Sequence, residues 1–201
     1  ASDVYKRQNT GSTSVTPIRY NDSPIGQIDT ASRQLYAFSA QRGDLITITM
    51  QRISGDLDSY LILTDAQGHT LATSDDDPAN PGTLDAAIRD WLVRATGDYQ
   101  IIATRFGQAA GTSHGAFVLS LTRVSPDQMG HTAAHAILLD YGASAAGTID
   151  NDTLMRYYQF EAHKGDVIAL DMERTRGNLD PTLTLATPDS KPIVTNDQGQ
   201  R

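Results

Sequence analysis

Cysteine is absent from the 201 residues. The chain therefore has no disulfide framework, no thiolate metal site and no cysteine nucleophile. Positive charge is scarce: 16 Lys and Arg stand against 24 Asp and Glu, a formal net charge of −8. Nucleic-acid binding needs a basic face to neutralise phosphates, and electrostatic docking on anionic lipid needs the same, so charge disfavours both. No apolar run approaches the roughly 20 residues of a membrane-spanning helix, so direct membrane insertion is not expected. Tryptophan occurs once, at position 91. What remains is ample for a packed core: hydrophobic residues make up 39% and charged residues 20%, outside the range of global disorder. Gly, Pro, Thr and Asp are spread along the chain, which points to many turns and few long helices.

Period-2 alternation dominates. Tyr36 and Phe38 share one face of the stretch 35–39, and Leu45 to Met50 reads Leu-Ile-Thr-Ile-Thr-Met. Tyr60–Thr64, Tyr99–Thr104 and Phe117–Thr122 follow the same pattern, each bounded by Gly, Asp, Asn or Pro, as strands are. Ile88, Trp91 and Val93 do not settle a period for the stretch 85–94, which is read as a strand over Ala87–Val93. Short strands at this spacing predict an all-β, antiparallel, jelly-roll-like β-sandwich.

The chain also repeats itself. Gly26-Gln-Ile-Asp29 returns as Gly147-Thr-Ile-Asp150, Tyr36-Ala-Phe38 as Tyr158-Gln-Phe160, and Gly43-Asp44 as Gly165-Asp166. Gly55-Asp-Leu-Asp58 returns as Gly177-Asn-Leu-Asp180, Leu61-Ile-Leu63 as Leu183-Thr-Leu185, and Thr73-Ser-Asp75 as Thr195-Asn-Asp197. The offset is 121 residues before Thr153 and 122 after it, as a single inserted residue requires. Such self-similarity is the mark of a duplication. It sets the sandwich copies apart from an N-terminal extension at 9–17 and from residues 1–8, which resemble a translated transposase-type adapter and are read as a sequencing-adapter artefact. A first sandwich at 18–124, a linker at 125–136 and a second copy at 137–201 complete the map. The second copy has no counterpart of the strands near 87–93, 97–104 and 115–122, so the expectation is a tandem repeat with an incomplete second copy. The chain is then a fragment assembled from an environmental read.

The shared pattern resembles the bacterial pre-peptidase C-terminal domain family. The elements that carry the resemblance are Gly26-x-Ile28, Tyr36-x-Phe38, Gly43-Asp44, Leu57-Asp58-x-Tyr60-Leu61-x-Leu63, Asp65-x-x-Gly68, Ser74-Asp75-Asp76, Ala95-Thr-Gly-Asp-Tyr99 and Gly115-Ala-Phe-Val-Leu119. Phe117 stands where the family often has Tyr. In the second copy Pro181 and Thr182 replace Ser59 and Tyr60, and Ser190 replaces Gly68. The resemblance implies a jelly-roll-like sandwich and a non-catalytic accessory module of exported bacterial proteins, extracellular or at the cell surface. It further implies neighbouring domains on the same polypeptide, with polysaccharide or extracellular protein as partners. Related modules also assist secretion or substrate capture for a secreted peptidase, and some bind calcium.

Asp56, Asp58, Asp75 and Asp76 cluster on either side of the Tyr60–Thr64 strand, and a hairpin there would bring Asp58 near Asp75. Clustered carboxylates suit Ca²⁺, which takes six to eight oxygens; the alternative is turn chemistry, in which Asp caps its own backbone. Asn178, Asp180, Asn196 and Asp197 are the equivalents in the second copy. Gly111-Thr-Ser113-His-Gly115 matches G-x-S-x-G, but a nucleophile elbow needs a helix after it and a strand follows here. His131 and His135 are spaced i, i+4 without the Glu that a zinc peptidase helix needs. A glycosidase pair at Asp56 and Asp58 would have to span a bound sugar in a cleft, whereas these residues sit at a strand start. Trp91 is a candidate for stacking on a sugar if exposed, and a core-edge residue otherwise. Specificity is expected in the loops 75–84 and 105–115.

Overall fold

The computed structural model describes residues 14–29 and 32–197. The adapter-like stretch 1–8 lies outside them. The chain divides into two compact units, Ala1–Ser125 and Pro126–Arg201.

The first unit is a two-layer β-sandwich. Its strands are β1 (Val15–Pro17), β2 (Ile25–Ile28), β3 (Arg33–Ala40), β4 (Leu45–Arg52), β5 (Ser59–Asp65), β6 (Thr70–Ser74), β7 (Ala86–Leu92), β8 (Gly97–Arg105) and β9 (Gly115–Arg123). One sheet runs in the order β1-β3-β8-β5-β6 and the other β2-β9-β4-β7. All pairings are antiparallel except β1 with β3. Alternation drives the two layers together. Tyr36 and Phe38 of β3, Leu61 and Leu63 of β5, and Tyr99, Ile101 and Ala103 of β8 point inward from one sheet. Ile46, Ile48 and Met50 of β4 and Phe117, Leu119 and Leu121 of β9 meet them from the other, all in one buried cluster. The sheet begins before Ile18, because Thr16 pairs with Tyr36, so part of the predicted extension 9–17 belongs to the sandwich.

The ambiguous period of the stretch 85–94 has a structural cause. Ile46 pairs with Trp91 and Ile48 with Ile88, so three steps on β7 oppose two on β4. Asp90, at φ 49°, takes up the extra residue, as in a bulge. Alternation therefore changes phase in mid-strand.

The second unit contains β10 (Ile137–Leu138), β11 (Tyr158–Gln159), β12 (Leu183–Ala186) and β13 (Pro192–Asn196). In the first unit Leu61, Ile62, Leu63 and Thr64 pair with Ser74, Thr73, Ala72 and Thr70, with an irregularity after Leu63. In the second, Leu183, Thr184, Leu185 and Ala186 pair with Asn196, Thr195, Val194 and Pro192, with the irregularity after Leu185. Every partner is displaced by the same offset. Ile137 pairs in parallel with Tyr158, as Thr16 does with Tyr36. The Tyr20 hydroxyl donates to Asp44 at 2.8 Å and the Tyr141 hydroxyl to Asp166 at 2.9 Å. Burial differs. Leu45 is 3% exposed, while Val167 at the equivalent position is fully exposed.

Candidate functional site

Three loops gather at the end of the first sandwich where β4, β6 and β8 finish and β5, β7 and β9 begin: 53–58, 75–85 and 106–114. Backbone hydrogen bonds stitch them together. Asp56 N–H donates to the His114 carbonyl at 3.0 Å, Ser59 N–H to Leu84 at 2.9 Å and Phe106 N–H to Asp58 at 2.8 Å. Side chains add to this: Arg52 N–H donates to Asp85 Oδ1 at 2.8 Å, and Asp58 N–H to Ser113 Oγ at 3.1 Å. Gly55 permits the tightest approach. It holds φ +76°, and a Cβ there would collide with the His114 carbonyl oxygen.

The four predicted metal ligands take different parts. Asp56 Oδ1 accepts from His114 N–H at 2.9 Å and lies 3.2 Å from its Nδ1; the backbone hydrogen bond holds its pKa low. Asp58 is shifted the other way, first by burial and then by the charges of Asp75 and Asp76. Asp58 and Asp75 are thus electrostatic neighbours. Asp75 and Asp76 are exposed. Among the described residues no group of three or more His, Asp or Glu is placed to hold a metal ion.

The next carboxylate, Asp77, belongs to the same Asp75-Asp76-Asp77 run of the sequence but not to the four expected ligands. It is buried, and Arg89 grips it with two hydrogen bonds of 2.7 Å from Nε and a terminal nitrogen. Asn80 and the Ala79 N–H complete its shell at 2.7 and 3.0 Å. The Arg89 hydrogen bonds, ahead of all else, drive its pKa far below the usual carboxylate range. This pair pins the loop 75–85 to β7.

Other candidates resolve into structural roles. Ser113 sits in the loop before β9, its hydroxyl accepting from Asp58 N–H, with no helix after it. Trp91 is half-buried and packs edge-on against Tyr99 at 5.7 Å. His135 ends a short 3-10 turn at Ala133–His135 that Thr132 caps, its Oγ1 accepting from the His135 N–H at 3.2 Å. His69 and His163 lie beside Asp65 and Asp166, at 2.8 and 3.9 Å.

The water-facing aromatic of this end is Phe106, 53% exposed, with Tyr60 edge-on at 6.4 Å. It sits just past the end of β8, where Gly107 turns the chain at φ 72°. Arg105 braces the turn, donating to the Gln108 carbonyl at 3.0 Å and the Ser113 carbonyl at 3.1 Å. The signal for Phe106 in the sequence was an aromatic between a strand end and a glycine.

Among solved structures, the chain is similar to the pre-peptidase C-terminal domain of a collagenase from Bacillus anthracis. The TM-score is 0.45 at 14% identity, covering 54% of this chain and 95% of that one. It is also similar to PliG, a periplasmic inhibitor of g-type lysozyme, from Aeromonas hydrophila, with TM-score 0.36, 14% identity, and 54% and 96% coverage. No curated protein sequence matches it significantly. Residues 32–104, which carry Asp58, Asp75, Asp76 and the Asp77–Arg89 pair, match the family model of the bacterial pre-peptidase C-terminal domain.

Proposed function

We propose that the chain is a non-catalytic binding or stalk module of a larger exported bacterial protein, built from tandem copies of one sandwich, and that the loop end of the first unit is its binding face. The observation that carries the binding reading is the exposed ring of Phe106, braced on a hydrogen-bonded turn beside Asp58. An aromatic held toward water in a fixed position loses little entropy on binding, which favours contact with polysaccharide or extracellular protein. The matched registers of the two hairpins support the tandem reading. Ser113, engaged with a backbone N–H in a hairpin loop, supports the absence of catalysis.

The experiment is a binding screen of the 201-residue chain against polysaccharides and matrix proteins, repeated with F106A. Retention by one ligand class, lost in the variant, supports the reading. Hydrolytic activity abolished by S113A overturns it. The family match over residues 32–104 favours a second reading, an accessory domain of a secreted peptidase that aids secretion or substrate capture. A peptidase region in the same gene, with substrate turnover reduced when residues 14–125 are deleted, decides for that one.

A further inference from the structure

We propose that the loop end of the first unit binds an extended peptide segment carrying arginine, with a guanidinium over Phe106 and facing Asp58, Asp75 and Asp76. This rests on the reading of that end as a binding face. Three apolar residues on these stitched loops face water. Ile53 follows Arg52, which bonds to Asp85; Leu84 bonds to Ser59; Asp58 bonds to Phe106, whose ring meets Tyr60. Ile53, Leu84 and Phe106 are 52%, 43% and 53% exposed. Exposed apolar residues brought to one end of a sandwich by hydrogen-bonded loops mark a contact surface.

Charge selects what covers it. Asp56, Asp58, Asp75, Asp76 and Asp85 lie on the same loops, and Asp58 already feels repulsion from Asp75 and Asp76. The local cations are mostly committed: Arg89 to Asp77, and Arg105 to the Gln108 and Ser113 carbonyls. His114 and Arg52 act on Asp56, and Arg52 alone on Asp58. A neutral apolar partner would bury these carboxylates without compensation. A metal ion would supply charge and leave the ring uncovered. A guanidinium does both, because it is planar, weakly hydrated and stacks on aromatic faces, while its hydrocarbon stem covers apolar surface. Ile53, Leu84 and Phe106 come from three loops, which suits a peptide better than a single side chain.

The test is fluorescence anisotropy of a labelled nonapeptide of alternating glycine and arginine, titrated with the 201-residue chain at two salt concentrations. F106A is expected to weaken binding about tenfold, and D75N/D76N about tenfold with a shallower salt dependence. The lysine counterpart is expected to bind several-fold more weakly. If F106A shifts the melting temperature, F106L, which keeps apolar bulk without the ring, takes its place. Unchanged affinity in the Phe106 variant, equal binding of the lysine and arginine peptides, or displacement of the peptide by millimolar calcium overturns the inference. If the peptide fails while a polysaccharide or matrix protein binds and is lost in F106A, this inference falls and the binding-face reading stands. If no ligand binds, both fall.

Discussion

Aspartates of identical chemistry carry opposite pH signatures in the loop 75–85 and its neighbour. Asp77 has its pKa lowered by Arg89. Its contribution to stability is fully present above the unfolded value of about 3.9 and is lost as pH falls below it. Asp58 has its pKa raised by burial and by Asp75 and Asp76, so its contribution is present below the unfolded value and is lost as pH rises through the folded one. Two outcomes follow in calorimetric melts at pH 7 and pH 3. R89A is expected to cost about 3 kcal/mol at pH 7, because it leaves a buried carboxylate unpaired, and less at pH 3. D58N is expected to raise the melting temperature at pH 7 and leave it unchanged at pH 3. A D58N variant that melts lower at pH 7 would mean that its carboxylate is already paired with a cation. Ser59 is a third case. Its hydroxyl is buried and has no hydrogen-bond partner among the described residues, so S59A should stabilise by about 1 kcal/mol in urea unfolding; a loss of stability would reveal a partner for that hydroxyl. Nothing in the sequence set Asp77 apart from Asp75 and Asp76. Its burial depends on an arginine twelve positions on, in another strand, and residue type carries no record of that.

Strands were legible where alternation met a two-sided core. Tyr36 and Phe38, or Ile46 and Ile48, declare their face by period alone. β7 was less legible because its bulge at Asp90 shifts the phase between Ile88 and Trp91. That same shift lets Trp91 pack on Tyr99 while Ile88 stays in the core. β1 was not legible, since its three residues are exposed and are held by backbone pairing to β3. The loops between strands obey stricter rules. Gly55 and Gly177 hold nearly the same dihedral, φ 76° and 72°, yet a Cβ at 177 meets nothing within 4 Å, while one at 55 meets the His114 carbonyl. G55A should therefore cost about 2 kcal/mol or more, from left-handed strain plus displacement of the loop 111–115, and G177A about 1 kcal/mol from strain alone. Equal effects in chemical denaturation would show that the loop 111–115 yields without cost.

At the scale of the molecule, the repeat separates what local sequence dictates from what packing adds. The hairpin register of β5–β6 recurs in β12–β13 down to the irregularity after Leu185. The turn explains this, since Gly68 N–H donates to the Asp65 carbonyl in one unit and Ser190 N–H to the Thr187 carbonyl in the other. Turn chemistry and β-propensity act within a few residues, so they return wherever the residues return. Burial does not return. Leu61 and Leu63 are fully buried while Leu183 and Leu185 are half-buried, and Ile48 is fully buried while Leu170 is 40% exposed. In the first unit β5 lies between β6 and β8, and β4 between β9 and β7; in the second, β12 has only β13 beside it among the described residues. Slow amide exchange requires both a ladder and exclusion of water. Exchange followed by mass spectrometry on the intact chain should therefore find the stretch 45–50 about a hundredfold slower than 167–172, although the two correspond in sequence. Comparable protection in the two stretches would mean that the apolar residues of the second unit, Val167 and Leu170 among them, are covered in solution.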